Sequence, residues 1–294
     1  MNKIVSFGDS FIFGSELQNN EDGSRAWPGL IANKLGLDYT TCAEPGCGNE
    51  HITQQIFNYF SEDKNLDCVA IINWTWMCRW DFFLNEPVEI PITTKNMFKY
   101  LSSEMYNTLA GNDWPPFENF TAENLINNNQ FKQEIINTIK NLKIVENGKW
   151  ITLGPTCVPN KLSWLDRTEA QAIINWYNDN LYNNLLWNKF KSLQTILCVQ
   201  NFLTTKNIKN IQLYMDYELF DNTYQNLSPP FIIEMQKQLS NILTLFHDDQ
   251  NFLDWARDLN FTITSSPGDH PLEDAHHAAA DLYINKLKNK IYGS

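Results

Sequence analysis

Basic residues are scarce in this 294-residue chain, in which 22 Lys and Arg stand against 34 Asp and Glu, for a net charge of −12. A field of that sign repels phosphate backbones and anionic membrane surfaces, so nucleic acid is not an expected partner. Long apolar runs are also missing. Val69 to Ile72 is typical, whereas a membrane-spanning helix needs ~20 consecutive apolar residues, so no membrane insertion is expected. The opening residues Met1 to Gly8 enter a strand pattern at once, with no basic segment, extended apolar stretch or small-residue cleavage site. A soluble, cytoplasmic protein is therefore expected. Heavy use of Asn, Lys and Ile fits an AT-rich genome, bacterial or viral.

Other absences remove further classes. Cys42, Cys47, Cys68, Cys78, Cys157 and Cys198 include no CxxC pair and several lie in apolar segments, so reduced thiols are expected, not disulfides or a zinc site. No HExxH spacing accompanies Glu273, His276 and His277, which read as solvated helix side chains, and no metal is expected. Gly46 and Gly48 do not open a dinucleotide loop, because the third glycine of GxGxxG falls on His51 and the turn follows the second strand. No cofactor is expected. Asn-x-Ser/Thr matches at Asn73, Asn119, Asn226 and Asn260 are frequent enough to arise by chance, and none reads as glycosylated.

What is present alternates strand with helix. Residues 3–8 read as a strand stopping at Gly8-Asp9-Ser10, 27–35 as a helix ended by Gly36, and 38–43 as a second strand. A glycine-rich turn, Glu44 to Asn49, precedes a helical pattern over 51–60. The apolar run 68–73 suits a strand buried on both faces. Residues 84–160 lose the pattern among prolines and read as an insertion or lid, with a helical stretch near 129–142. Residues 166–206 read as helix, 211–215 and 261–264 as strands, and about 273–290 as a closing helix. No repeat of 20–50 residues is visible, and a single domain spanning 1–294 is expected.

Two residues stand out for chemistry. Ser10 sits at a strand-to-helix turn, where a hydroxyl meets unsatisfied backbone N–H groups, although an N-cap serine looks the same. His270, just before a helix, could remove the Ser10 proton, although a lone histidine is more often structural.

Taken in order, FGDSFIFG, EPGCGNE, the polar strand end at 73–76 and GDHP followed by LEDAHHAAADLY resemble the blocks of the SGNH/GDSL hydrolases. That resemblance implies a three-layer α/β/α, flavodoxin-like fold with a mostly parallel five-stranded sheet and the site at its carboxyl edge. It implies Ser10 as nucleophile, His270 as base, and Gly46 among the oxyanion donors, with Asp9 a turn residue fixing Ser10. Two blocks depart from the family. Where GxND is usual the chain has Asn73-Trp74-Thr75-Trp76, so the expected asparagine falls on Thr75 and the third donor is left among Asn49, Asn73 and Thr75. One lost donor costs ~3 kcal/mol of transition-state stabilisation. Where DxxH places an aspartate the chain has Pro267, leaving the adjacent Asp269, a carbonyl, water or a distant carboxylate to orient His270.

Trp74, Trp76, Trp80, Phe82 and Phe83 follow a strand end, where they stack on a sugar or acyl chain or else belong to the core, and Arg79 among them meets a substrate anion or pairs with an acid. The expected activity is hydrolysis of a small acyl ester, with carbohydrate O-deacetylation favoured and thioester or amide hydrolysis sharing the chemistry. The alternative is a non-catalytic glycan-binding or assembly protein on the same fold.

Overall fold

The computed structural model describes residues 2–61, 67–89, 145–154, 167–223, 227–265 and 269–292. They fall into two compact units, one containing Met1–Phe82, Trp150–Cys157 and Ala172–Ser294, the other Phe83–Lys149 and Val158–Gln171. In the first unit five strands form one sheet: β1 (Lys3–Phe7), β2 (Asp38–Thr41), β3 (Cys68–Trp74), β6 (Lys209–Tyr214) and β7 (Leu243–Thr244), in the order β2-β1-β3-β6-β7. Every pairing is parallel, with Phe7 opposite Ile72 and Asn73 opposite Leu213. A two-stranded ribbon, β4 (Trp80–Glu89) with β5 (Val145–Leu153), starts in the first unit and continues into the second.

All seven residues of β3 are buried, as a strand covered on both faces must be. Side chains alternate between faces. Ile4, Val69, Ile71, Ile211 and Leu213 meet helices α2 (Trp27–Leu35), α7 (Phe252–Asp258) and α8 (Glu273–Tyr292). Val5, Phe7, Ala70, Ile72 and Trp74 meet α3 (Asn49–Ser61), α5 (Leu185–Thr205) and α6 (Pro230–Leu239). Ile71, fully buried in the central strand, is a position where truncation to alanine costs ~2–5 kcal/mol. The sheet order reverses between β1 and β3, and in sheets of this kind ligands bind in the crevice outside the carboxyl ends of such strands.

The α/β expectation and its five-stranded parallel sheet hold, but the fifth strand is not the one read from the sequence. Residues 261–264 contribute only an isolated antiparallel bridge, Ile263 with Pro271. The edge strand is instead Leu243–Thr244, too short to show a period of its own. The helical stretch 166–206 is two helices, α4 (Arg167–Tyr177) and α5, separated by a π-helical turn at Asn178–Tyr182. Asn184 caps α5, its side chain accepting from Trp187 N–H. The Asn- and Asp-rich run before it competes for backbone groups and ends the first helix. Within the supposed insertion only β4 and β5 are described; the helical stretch 129–142, Cys157, Asn119, Asn226, Pro267 and Gly268 lie outside the described residues. Among the described residues no helix is long and apolar enough to cross a membrane.

Candidate active site

The turn after β1 is built around two residues without freedom to vary. Gly8 has φ +153°, and a Cβ there would lie 2.9 Å from Ile12 Cγ1 and 3.0 Å from the Asn73 carbonyl oxygen. Asp9, fully buried, caps the short helix α1 (Ser10–Phe13): its Oδ1 accepts the Phe11 N–H at 3.1 Å. Its Oδ2 accepts from Thr75 Oγ1 at 2.8 Å and from Arg79 Nη1 at 2.9 Å. This carboxylate therefore acts as a turn residue that holds Ser10 at the end of β1. Ser10 itself is 6% exposed. Among the described residues nothing accepts from its N–H.

The glycine-rich loop is tied to the same turn. Glu44 N–H donates to the Gly8 carbonyl at 3.0 Å, and Cys47 Sγ–H donates to the same oxygen at 3.3 Å. Burial pushes the Cys47 thiol well up from its ordinary value, keeping it protonated. Gly46 is exposed with φ +84° and open space where a Cβ would sit, and its N–H also lacks an acceptor among the described residues. Asp81 of β4 holds the start of α3, accepting from Gly48 N–H and His51 N–H at 2.9 Å each.

The structure narrows the side chains expected as third donor. Thr75 is buried, its hydroxyl donates to Asp9 and its N–H donates to Asn49 Oδ1 at 2.9 Å, so neither group is available. Asn49, also buried, directs its Nδ2 to Ser192 Oγ at 3.2 Å and to the Thr75 carbonyl at 3.4 Å. It is a strut between α3, the end of β3 and α5, which corrects the donor expectation. The Asn73 side chain alone among the three makes no hydrogen bond with the described residues. It alternates with Val69 and Ile71 on the face shared with α8.

Trp74 is corrected as a substrate contact. It is fully buried, and its Nε1–H donates to Gln212 Oε1 at 2.9 Å. Trp76 lies beyond the end of β3, where the chain leaves the strand, and packs against the other cluster: its ring meets Phe11 at 5.5 Å between centroids and Arg79 lies 4.9 Å from its centroid. Arg79 pairs with Asp9 and donates to the Cys47 carbonyl at 2.9 Å. Of its two expected roles, pairing with an acid is the one seen.

His270 reaches this edge from the far end of the chain. Its backbone is held by Thr264, whose Oγ1 accepts the His270 N–H at 2.9 Å and whose N–H donates to the His270 carbonyl at 3.0 Å. Its ring packs 5.1 Å from that of Phe11, the residue after Ser10. No hydrogen bond joins Ser10 Oγ to His270 Nε2 in this structure. Asp269, at φ +48°, turns away to Arg257 Nη2 at 3.4 Å and does not orient the imidazole, which corrects that expectation. His270 Nδ1 is buried without a hydrogen-bond partner, and the carboxylate within ion-pair reach is Glu16, with Oε1 at 3.7 Å. Nothing in the sequence around Glu16 marked it.

His276, read as a solvated helix side chain, is instead 1% exposed. Its Nδ1 accepts the Trp27 N–H at 3.0 Å and so caps α2, which has no side-chain cap of its own. Glu273 accepts the Gln18 N–H at 3.0 Å. Among the described residues no group of three or more His, Cys, Asp or Glu is placed to hold a metal ion. A serine hydroxyl, two N–H groups without acceptors among the described residues, an asparagine amide and an imidazole thus lie on the strand ends and loops at the carboxyl edge of β1 and β3. Such a set is suited to acyl transfer.

The sequence matches no protein-family model and no curated protein. It is similar in structure to the psychrotrophic esterase EstA from Pseudoalteromonas sp., at 8% identity, covering 100% of each chain, with a TM-score of 0.44. It is similar to a member of the lipolytic protein G-D-S-L family from Veillonella parvula, at 10% identity over 97% of each chain and a TM-score of 0.38. The lipase Lip_vut3 from a goat rumen metagenome matches at 11% identity over 100% of this chain and 99% of that one, with a TM-score of 0.40.

Proposed function

We propose that this chain is a serine esterase of the SGNH/GDSL type that hydrolyses a small acyl ester, with Ser10 as nucleophile and His270 as base. The observation that carries this reading is the approach of His270 to the Ser10 turn, ring against ring with Phe11 at 5.1 Å. Ser10 Oγ attacks the ester carbonyl while its proton passes to His270 Nε2. The oxyanion is held by the N–H groups of Ser10 and Gly46 and by the Asn73 amide. Collapse breaks the bond to the alcohol, which leaves with the proton from His270. Water, deprotonated in turn by His270, then releases the acid and restores Ser10. In the Michaelis complex the Ser10 hydroxyl donates to His270 Nε2.

For the substrate we propose an O-acetylated carbohydrate. Trp76 supports this, since its half-buried ring flanks Phe11 on the same face as His270 and offers a stacking surface for a sugar. The measurement is release of acetate from acetylated glycans in a Ser10-dependent manner. Turnover of lipid esters alone across a broad panel would sink the carbohydrate assignment.

A second reading, a glycan-binding protein without chemistry, is favoured by one observation: the Thr75 hydroxyl is engaged by Asp9 and cannot serve the oxyanion. Fluorophosphonate labelling and p-nitrophenyl acetate hydrolysis separate the two. Labelling and turnover that vanish in Ser10→Ala and His270→Ala establish the esterase. A folded wild type that neither labels nor turns over makes the binding-protein reading the leading one, which a glycan array then tests.

A further inference from the structure

We propose that Glu16 is the positioning residue for His270, filling from the loop after α1 the role that no carboxylate fills on the histidine's own segment. This inference rests on the serine-esterase reading above. A neutral histidine that uses Nε2 as base carries its proton on Nδ1, and that proton needs an acceptor to fix the tautomer and the ring. Pro267 offers none at the third position before the histidine, and Asp269 is turned to Arg257. His270 Nδ1 is left buried and unpartnered by any hydrogen bond, with Glu16 Oε1 at 3.7 Å. A small side-chain rotation closes that gap to a hydrogen bond.

The loop that carries Glu16 is constrained for this placement. Leu17 N–H donates to the Gly14 carbonyl at 3.3 Å, closing a turn in which Glu16 takes φ +70°. That conformation suits glycine or asparagine, and a glutamate there is held against its backbone preference. Strain of this kind gathers at functional sites. Asn20 pins the loop from inside, its Nδ2 donating to the Phe13 and Gly14 carbonyls at 2.7 and 2.9 Å. Gln18 N–H donates to Glu273 Oε1 at 3.0 Å, which ties the loop to the helix that follows His270. The neighbouring charges are otherwise occupied: Glu273 by Gln18 and Arg25, Asp269 by Arg257, and Asp274 by Thr262. His276, behind the segment, is neutral and caps α2.

The test compares Glu16→Gln, Glu16→Asp and Glu16→Gly with wild type in p-nitrophenyl acetate hydrolysis, alongside thermal unfolding and NMR of the His270 ring nitrogens. In Glu16→Gln, kcat falls about tenfold or more with KM little changed. In Glu16→Gly the ring-nitrogen NMR signals of His270 lose the preference for a proton on Nδ1 that wild type shows. Glu16→Asp recovers part of kcat. Glu16→Gly relieves the positive φ, so its Tm equals or exceeds that of wild type while kcat falls as in Glu16→Gln. Wild-type kcat in both the Gln and Gly variants, with the tautomer unchanged in Glu16→Gly, overturns the proposal. If the wild type itself shows no turnover, the esterase reading fails and the NMR signals decide separately: a His270 tautomer preference lost in Glu16→Gly upholds the pairing, and an unchanged one overturns it.

Discussion

Arg79 Nη1 lies 2.9 Å from Asp9 Oδ2, and the two differ in burial: the carboxylate has no exposed side-chain surface and the arginine has 17%. That asymmetry decides which partner is harder to lose. Removing the cation strands a buried charge, whereas neutralising the acid leaves an arginine that water still reaches. Arg79→Ala is therefore expected to destabilise by about 2–3 kcal/mol, and Asp9→Asn, which keeps most of the hydrogen-bonding shape, by about 1–2 kcal/mol. Urea unfolding midpoints measure both. Equal losses would show that the pair behaves as a surface contact.

Gly46 and Gly48 sit two residues apart in the same loop and are expected to respond differently. Gly46 needs its positive φ but has open space for a Cβ, so Gly46→Ala costs only backbone strain, about 1–2 kcal/mol. A Cβ on Gly48 would meet the Asp81 carboxylate at 2.5 Å, displacing the group that receives the first N–H donors of α3. Gly48→Ala combines a lost cap with overpacking and is expected to cost about 2–4 kcal/mol. Thermal unfolding of the two variants ranks them. A Gly46 variant worse than the Gly48 variant would contradict this account of the loop.

These glycines also show how far the sequence could be read. Local signals served where the chain's own covalent pattern decides the outcome: α2 spans 27–35 and stops at Gly36 as its periodicity predicts, and β3 follows its apolar run. They failed where a distant partner decides. Alternation over 261–264 reported one half-buried face but not that the partner was the segment around His270, so it was read as a sheet strand. Which asparagine or threonine keeps a free donor depends on pairings such as Thr75 with Asp9, and no spacing rule encodes them. Glu16 meets His270 only through a turn whose φ no glutamate advertises.

Trp74 and Trp76 test the corrected assignment of the aromatic loop. Trp74→Phe removes the donor to Gln212, itself 1% exposed, and is expected to cost about 1–3 kcal/mol with KM unchanged. Trp76→Ala is expected to raise KM for a carbohydrate ester severalfold or more, a stacked ring being worth about 1 kcal/mol or more. Steady-state kinetics beside unfolding curves separates the two effects. A raised KM in Trp74→Phe would return that residue to the substrate side.

The buried His276 gives the fold a pH dependence of defined sign. Burial pushes its imidazole down to about 3 from an ordinary 6.5, and its Nδ1 must stay unprotonated to accept from Trp27. The unfolded chain therefore takes up a proton near pH 6.5 that the folded chain refuses, so stability present above that pH is lost as pH falls toward 3. The loss amounts to about 2 kcal/mol by pH 5 and about 5 kcal/mol at the limit. Glu50 and Asp216 work in the opposite direction: burial raises both, so they take up protons more readily when folded and offset part of the loss. His276→Asn separates the contributions, because its side-chain oxygen still accepts from Trp27 but does not titrate. That variant is expected to be less stable than wild type at pH 7 and to lose less on acidification to pH 5, as read from urea unfolding at the two pH values. Parallel losses in variant and wild type would place the pH dependence elsewhere.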